Sequence, residues 1–283
     1  MRPAVGLCAQ IACVWEVTAR KPGNVHRFCD FDDATYLDFI LSAAAIAPIL
    51  ETACQSRPGR TVLECVRATR QVTGTNTNLG IILLLTPLAS VPAGAELRSG
   101  VEKILSALDR EDARLTYEAI RLANPGGLGG ASEQDVNGEP TCTLREAMAL
   151  AADRDLVARQ YANGFEQVFD DVVPSLVDFL SRTGSLESAI ISTQLAMMTR
   201  YPDTLIARKS GRDSAIEASR RAASVLATGW PESDVSKLAF SAFDVWLREN
   251  GHARNPGTTA DLLTAGLFAA LLQNQLDPST RFG

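Results

Sequence analysis

Tyr36-Leu-Asp-Phe-Ile-Leu-Ser-Ala-Ala-Ala-Ile-Ala-Pro-Ile-Leu-Glu-Thr-Ala-Cys54 is the stretch that decides the fold class. It is rich in Ala, Leu and Ile, which favour helix. Its apolar residues lie on all sides of a helical wheel, so it reads as a core helix. Downstream, Thr61–Val72 places Val62, Leu63, Val66 and Thr69 at helical spacing, with charges on the other face. Ile81–Leu88 is a continuous apolar run that could be a buried strand; its Leu content, its length and the polar caps before it favour a buried helix. Leu97–Leu108 and Asp112–Leu122 read as a pair of amphipathic helices. Leu144–Leu180 reads as one long helix, or two with a break near Pro174. Ser185–Met198, Ser214–Ala227, Ser233–Arg248 and Thr259–Leu276 complete the set. Strict period-two alternation is scarce. The expectation is an all-α protein of about ten or more helices, with residues 1–283 forming a single large multi-helix domain. The non-helical pieces are expected at 21–33, 74–79, 124–140, 200–203 and 250–257. The run Asn124-Pro-Gly-Gly-Leu-Gly-Gly130 is too glycine-rich for a helix interior.

Composition narrows the function classes. Of 283 residues, 46% are hydrophobic and 21% charged, which excludes a disordered chain, a collagen and a coiled coil. Lys+Arg is 27 and Asp+Glu is 33, a net charge of −6, which argues against a nucleic-acid partner but leaves room for a local cationic pocket. The six cysteines show neither CxxC pairs nor zinc spacing and read as buried thiols. With only two histidines, His26 and His252, a zinc site is not expected. Ala4–Trp15 is apolar, but Gln10 interrupts it and a Lys-Pro-Gly turn follows, so it reads as a first helix rather than a secretory segment. No run reaches the roughly 18 residues needed to cross a bilayer. A cytoplasmic protein with no membrane partner is expected; a homo-oligomer is left open.

Four polar turns carry the candidate chemistry. Arg20-Lys21-Pro22-Gly23-Asn24-Val25-His26-Arg27 gathers cations that suit phosphate oxygens, or is a basic surface turn. Thr73-Gly74-Thr75-Asn76-Thr77-Asn78-Leu79-Gly80 leads into the apolar run, and a helix start of this kind is a natural anion site, or plain capping. In Pro202–Arg212, Asp203 or Thr204 could cap a short helix. Arg208 and Arg212 would share a face if that helix continues, or would belong to a solvated salt-bridge surface. Asn255-Pro256-Gly257-Thr258-Thr259-Ala260-Asp261 opens another helix, with Thr258 or Thr259 as cap and Asp261 in the first turn. Elsewhere Glu146 and Asp153, seven apart, could share one helical face.

In this order the four turns resemble the triphosphoribosyl-dephospho-CoA synthase family, from Lys21 to Leu263. Lys21-Pro22-Gly23 stands where the family has Lys-Pro-Gly. Gly74, Asn76, Thr77 and Gly80 match Gly-x-Asn-Thr-His-Lys-Gly, with Asn78 at the His position and Leu79 at the Lys position. Asp203-Thr204 matches its Asp-Thr, and Arg208, Lys209, Ser210 and Gly211 hold its His-Arg-Gly-Gly positions. Asn255-Pro256-Gly257 and Ala260-Asp261-Leu262-Leu263 match the last element. The Asn-Pro-Gly-Gly-Leu-Gly segment and Ala151–Ala158 further resemble a divergent branch of the family from methanogens and methylotrophs.

The resemblance implies an all-helical transferase. It would move the triphosphoribosyl group of ATP to a hydroxyl of 3′-dephospho-CoA and release adenine. An acceptor in pterin-linked one-carbon cofactor synthesis, or nucleotide binding without turnover, are the alternatives. Lys21, Gly23, Asn76, Thr77, Arg208, Lys209 and Asn255 would then bind the nucleotide phosphates. Asp203 and Asp261 would serve as general base or as ligands of Mg2+.

Overall fold

The computed structural model describes residues 4–126 and 134–283, so Gly127–Gly130 of the glycine-rich run lie outside the described residues. Fourteen α-helices and no strand occur among the described residues. They are α1 (Val5–Thr18), α2 (Tyr36–Glu51), α3 (Pro58–Val72), α4 (Leu79–Ala89), α5 (Leu97–Ala107), α6 (Arg110–Ala123) and α7 (Leu144–Ala151), followed by α8 (Leu156–Asn163), α9 (Val173–Thr183), α10 (Leu186–Arg200), α11 (Thr204–Ser210), α12 (Arg212–Ala227), α13 (Asp234–Arg248) and α14 (Gly257–Leu272). No helix among the described residues is long and apolar enough to cross a membrane.

The centre belongs to α14, which packs against α1, α4, α8, α9, α10 and α11. From Thr258 to Leu272 every residue except Asp261 is buried. α4 has the same character: from Leu79 to Ala89 only Gly80 escapes burial. Helices apolar all round must be surrounded by others, and the ambiguous run at Ile81–Leu88 is such a helix. Gly266 lets α14 approach the π-helical turn Val168–Val172; a Cβ there would lie 2.2 Å from Val172 Cγ1. A second apolar cluster, including Ile191, Leu195, Ala218 and Phe243, joins α10, α12 and α13.

Several expectations need correction. α2 is not buried all round: Ser42, Ala43, Ile46, Ala47 and Leu50 face inward, while Leu37 and Leu41 are exposed. The stretch 144–180 breaks not at Pro174 but twice before it. Asp155 starts a new helix by capping Val157 and Ala158, and Gly164 ends that helix in the left-handed region at φ 74°. Pro174 follows the π-helical turn Val168–Val172, at the start of α9, and the helical path runs on through it. Because α7 stops at Ala151, Glu146 and Asp153 share no helix. Gly211, at φ 87°, ends α11, so Arg208 and Arg212 belong to different helices. Of the six cysteines only Cys8, Cys13 and Cys65 are buried; Cys29 and Cys142 are half-buried and Cys54 is exposed.

Candidate functional site

The first turn folds inward. Lys21 is fully buried; its Nζ donates to Glu16 Oε1 at 2.9 Å and to the Glu16 carbonyl at 2.6 Å. Burial pushes the Glu16 carboxyl up, and Lys21 opposes that push. The Gly23 N–H donates to Asp244 Oδ1 at 2.7 Å. His26 Nδ1 accepts the Phe28 N–H, and burial together with nearby Arg248 and Lys21 lowers its pKa to about 4, so it is neutral at pH 7. Only Asn24 and Val25 of this turn reach the cavity described below.

The second turn opens α4. Asn76 Oδ1 accepts the Leu79 N–H at 3.2 Å, and the Thr77 hydroxyl lies 2.6 Å from that of Ser42. Asn78 Oδ1 accepts from the Thr69 hydroxyl, while Asn78 Nδ2 is buried without a partner among the described residues.

The third and fourth turns are joined by Asp203. Its Oδ1 accepts the N–H groups of Leu205 and Ile206, capping α11. Its Oδ2 accepts the Thr259 N–H and hydroxyl, both at 2.7 Å, and so supplies α14 with the cap that Thr258 and Thr259 were expected to give. Asp261 is the fifth residue of α14, beyond the first turn. Arg208 pairs with Asp155, and Lys209, losing hydration, has its pKa lowered.

All four turns border one cavity of about 630 Å³. Asn76, Thr77, Arg208, Lys209, Asn255 and Asp261 line it; Lys21, Gly23 and Asp203 do not. The physical reason is the same for all three: the groups that would have met a ligand are engaged inside the protein. The helices α4, α7, α8 and α14 begin at the cavity wall. Glu16, Asn24, Tyr117, Met148, Arg154 and His252 also line it and were not singled out from sequence. The signal for Arg154 lay in the Arg154-Asp155-Leu-Val stretch. Glu16 was legible only as the residue five before a lysine.

The two otherwise buried helices are open at the same place. A Cβ on Gly80 would lie 2.0 Å from Asp261 Oδ2, so only glycine lets this carboxyl seat against the start of α4. Asp261 makes no hydrogen bond or ion pair among the described residues. Desolvation, with Glu16, Asp203 and Asp155 nearby, raises its pKa well above 3.8, against the pull of Arg208. Asp155 is committed to Arg208 and to its cap, and Asp203 to its two helices. No group of three acidic, His or Cys residues is placed to hold a metal ion among the described residues. These side chains do not build a magnesium site of their own.

The chain spans about half or less of the curated relatives it matches. A protein of Acinetobacter calcoaceticus named "Probable 2-(5''-triphosphoribosyl)-3'-dephosphocoenzyme-A synthase" is 30% identical over 122 residues, covering 41% of this chain and 39% of that one. A protein of the same name from Pseudomonas syringae pv. tomato is 26% identical over 166 residues, covering 52% and 56%. A crystal structure assigned as a triphosphoribosyl-dephospho-CoA synthase from Archaeoglobus fulgidus superposes with a TM-score of 0.64 at 26% identity, covering 82% of this chain and 97% of that one. The family profile of ATP:dephospho-CoA triphosphoribosyl transferase matches residues 3–279. Matched over nearly its whole length, the chain belongs to the ATP:dephospho-CoA triphosphoribosyl transferase family.

Proposed function

We propose that the chain binds ATP in this cavity and transfers its triphosphoribosyl group to a hydroxyl of 3′-dephospho-CoA. The observation that carries the reading is the unengaged Asp261 carboxyl, seated against Gly80 at the start of α4 in the cavity wall. In the reaction the bond from ribose C1′ to adenine breaks and its electron pair leaves with adenine. A bond from C1′ to the acceptor oxygen forms, the hydroxyl proton passes to Asp261, and adenine takes up a proton from solvent to leave as the neutral base. A carboxylate raised in pKa is a stronger proton acceptor than a solvated one. Lys209 and Arg154, cavity cations whose side chains make no hydrogen bond among the described residues, take the triphosphate. Poorly hydrated Lys209 gains most from an anion. Tyr117, Leu144 and Met148 offer an apolar wall for adenine. Asp203 keeps α11 and α14 in register beneath the site rather than touching substrate. Magnesium enters as part of the nucleotide substrate, with no step assigned to a resident ion.

The test is adenine release from ATP in the presence of dephospho-CoA. Wild-type protein releases adenine in proportion to acceptor consumed, and Asp261→Asn does not. Wild-type protein that releases no adenine would overturn the reading.

A further inference from the structure

A chain of three amides leads from the buried face of α10 to the cavity. Gln194 is fully buried and Asn24 nearly so. Gln194 Nε2 donates to the Pro22 carbonyl at 3.4 Å and to Asn24 Oδ1 at 2.6 Å. Asn24 Nδ2 in turn donates to Asn255 Oδ1 at 2.6 Å.

The direction of this chain has a physical cause. An amide offers one acceptor and one donor end, and the Pro22 carbonyl can only accept. Turned over, Gln194 would set its oxygen against that carbonyl. The orientation then passes on: Asn24 must accept from Gln194, so it donates to Asn255, and Asn255 Oδ1 is occupied. Its Nδ2 meets no acceptor among the described residues, and Asn255 lines the cavity. Gln194 Oε1, meanwhile, is buried without a partner among the described residues. That costs about 1–3 kcal/mol, so an apolar side chain would serve packing better at this position.

We infer that Gln194 and Asn24 are positioning residues that turn the Asn255 amide so that its N–H donates to an anionic oxygen of the substrate. The inference rests on the proposed reading that a polyanion occupies the cavity. It also gives the Lys-Pro-Gly turn a role: Lys21 and Gly23 anchor the loop, and the Pro22 carbonyl sets the polarity of the relay.

The experiment is a double-mutant cycle on the full chain, read by calorimetric titration with inorganic tripolyphosphate, with thermal melting as the folding control. Asn255→Leu should weaken binding roughly tenfold, the worth of one hydrogen bond to a charged group. Gln194→Met should weaken it about threefold to tenfold on its own and have no further effect in the Asn255→Leu background. Equal losses in both backgrounds, or no loss from Gln194→Met alone, overturn the relay. If Gln194→Met fails to fold, Gln194→Glu keeps the shape and turns the chain round. It should then weaken binding more than Asn255→Leu does, and an equal loss in the Asn255→Leu background overturns the relay. Wild-type protein that releases adenine but shows an additive cycle defeats the relay alone. Wild-type protein that neither binds tripolyphosphate nor releases adenine defeats the reading of the cavity and the relay with it.

Discussion

Gly80 and Asp261 stand 181 positions apart in sequence and in contact in space. Gly80→Ala should therefore act on the reaction more than on the fold. Its methyl displaces a carboxyl that has somewhere to go, and misplacing a reacting group by about 1 Å costs roughly 10²-fold in rate; adenine release against melting temperature reads the split. Asp261 also predicts a pH dependence. Its pKa is raised, so the base form grows as pH rises, and the transfer rate should climb through a range well above pH 4. Stability moves the other way. Between 3.8 and its raised pKa the folded protein holds the proton and the unfolded chain does not, so stability falls as pH rises through that window. Asp261→Asn should abolish transfer, remove this slope and raise the melting temperature at neutral pH. Lys21 teaches the reverse. Its residue type suggested phosphate, but α1 delivers Glu16 to it and closes both from solvent. Lys21→Ala leaves a buried carboxylate uncompensated and should cost about 3–5 kcal/mol in chemical denaturation.

At the level of helices, the apolar runs were legible because burial on every side leaves a composition signature. α4 and α14 could be read from their Leu and Ala content, and the polar turns before them as helix starts. What was not legible was the partner of each cap. Asp203 and Thr204 were both candidate caps for α11; Asp203 is the cap, and its second oxygen serves α14, 56 positions later. Local spacing carries no information on such a contact. The same limit hid the breaks at Asp155 and Gly164, where a charged cap and one glycine interrupt a helical pattern that otherwise continues. It also left Gln194 unnoticed inside α10, a lone polar residue whose use depends on a loop 170 positions away. Asp203→Ala removes the caps of two helices at once. At about 1 kcal/mol for each cap, the expected loss is about 2 kcal/mol by denaturant melts, with the Michaelis constant for ATP rising because α11 carries Lys209.

Across the whole molecule, the cavity draws on chain from Glu16 to Asp261. A ligand held by so many separated segments binds the folded chain and not the unfolded one. ATP at a hundred times its dissociation constant should then add about 2.7 kcal/mol of stability, measured as a rise in melting temperature that Lys209→Ala reduces. The fold class could be read from hydrophobic patterning alone, since that pattern is spread over the whole chain; the site could be read only as four candidate turns, since which atoms face the ligand is decided by packing. The place of α14 has one more consequence. It is the axis on which six other helices lean, yet the ribosome makes it after all of them. Until Gly257–Leu272 emerges, the earlier helices have a greasy hole where their spindle belongs, and a nascent chain paused just short of it would be a natural client for chaperones.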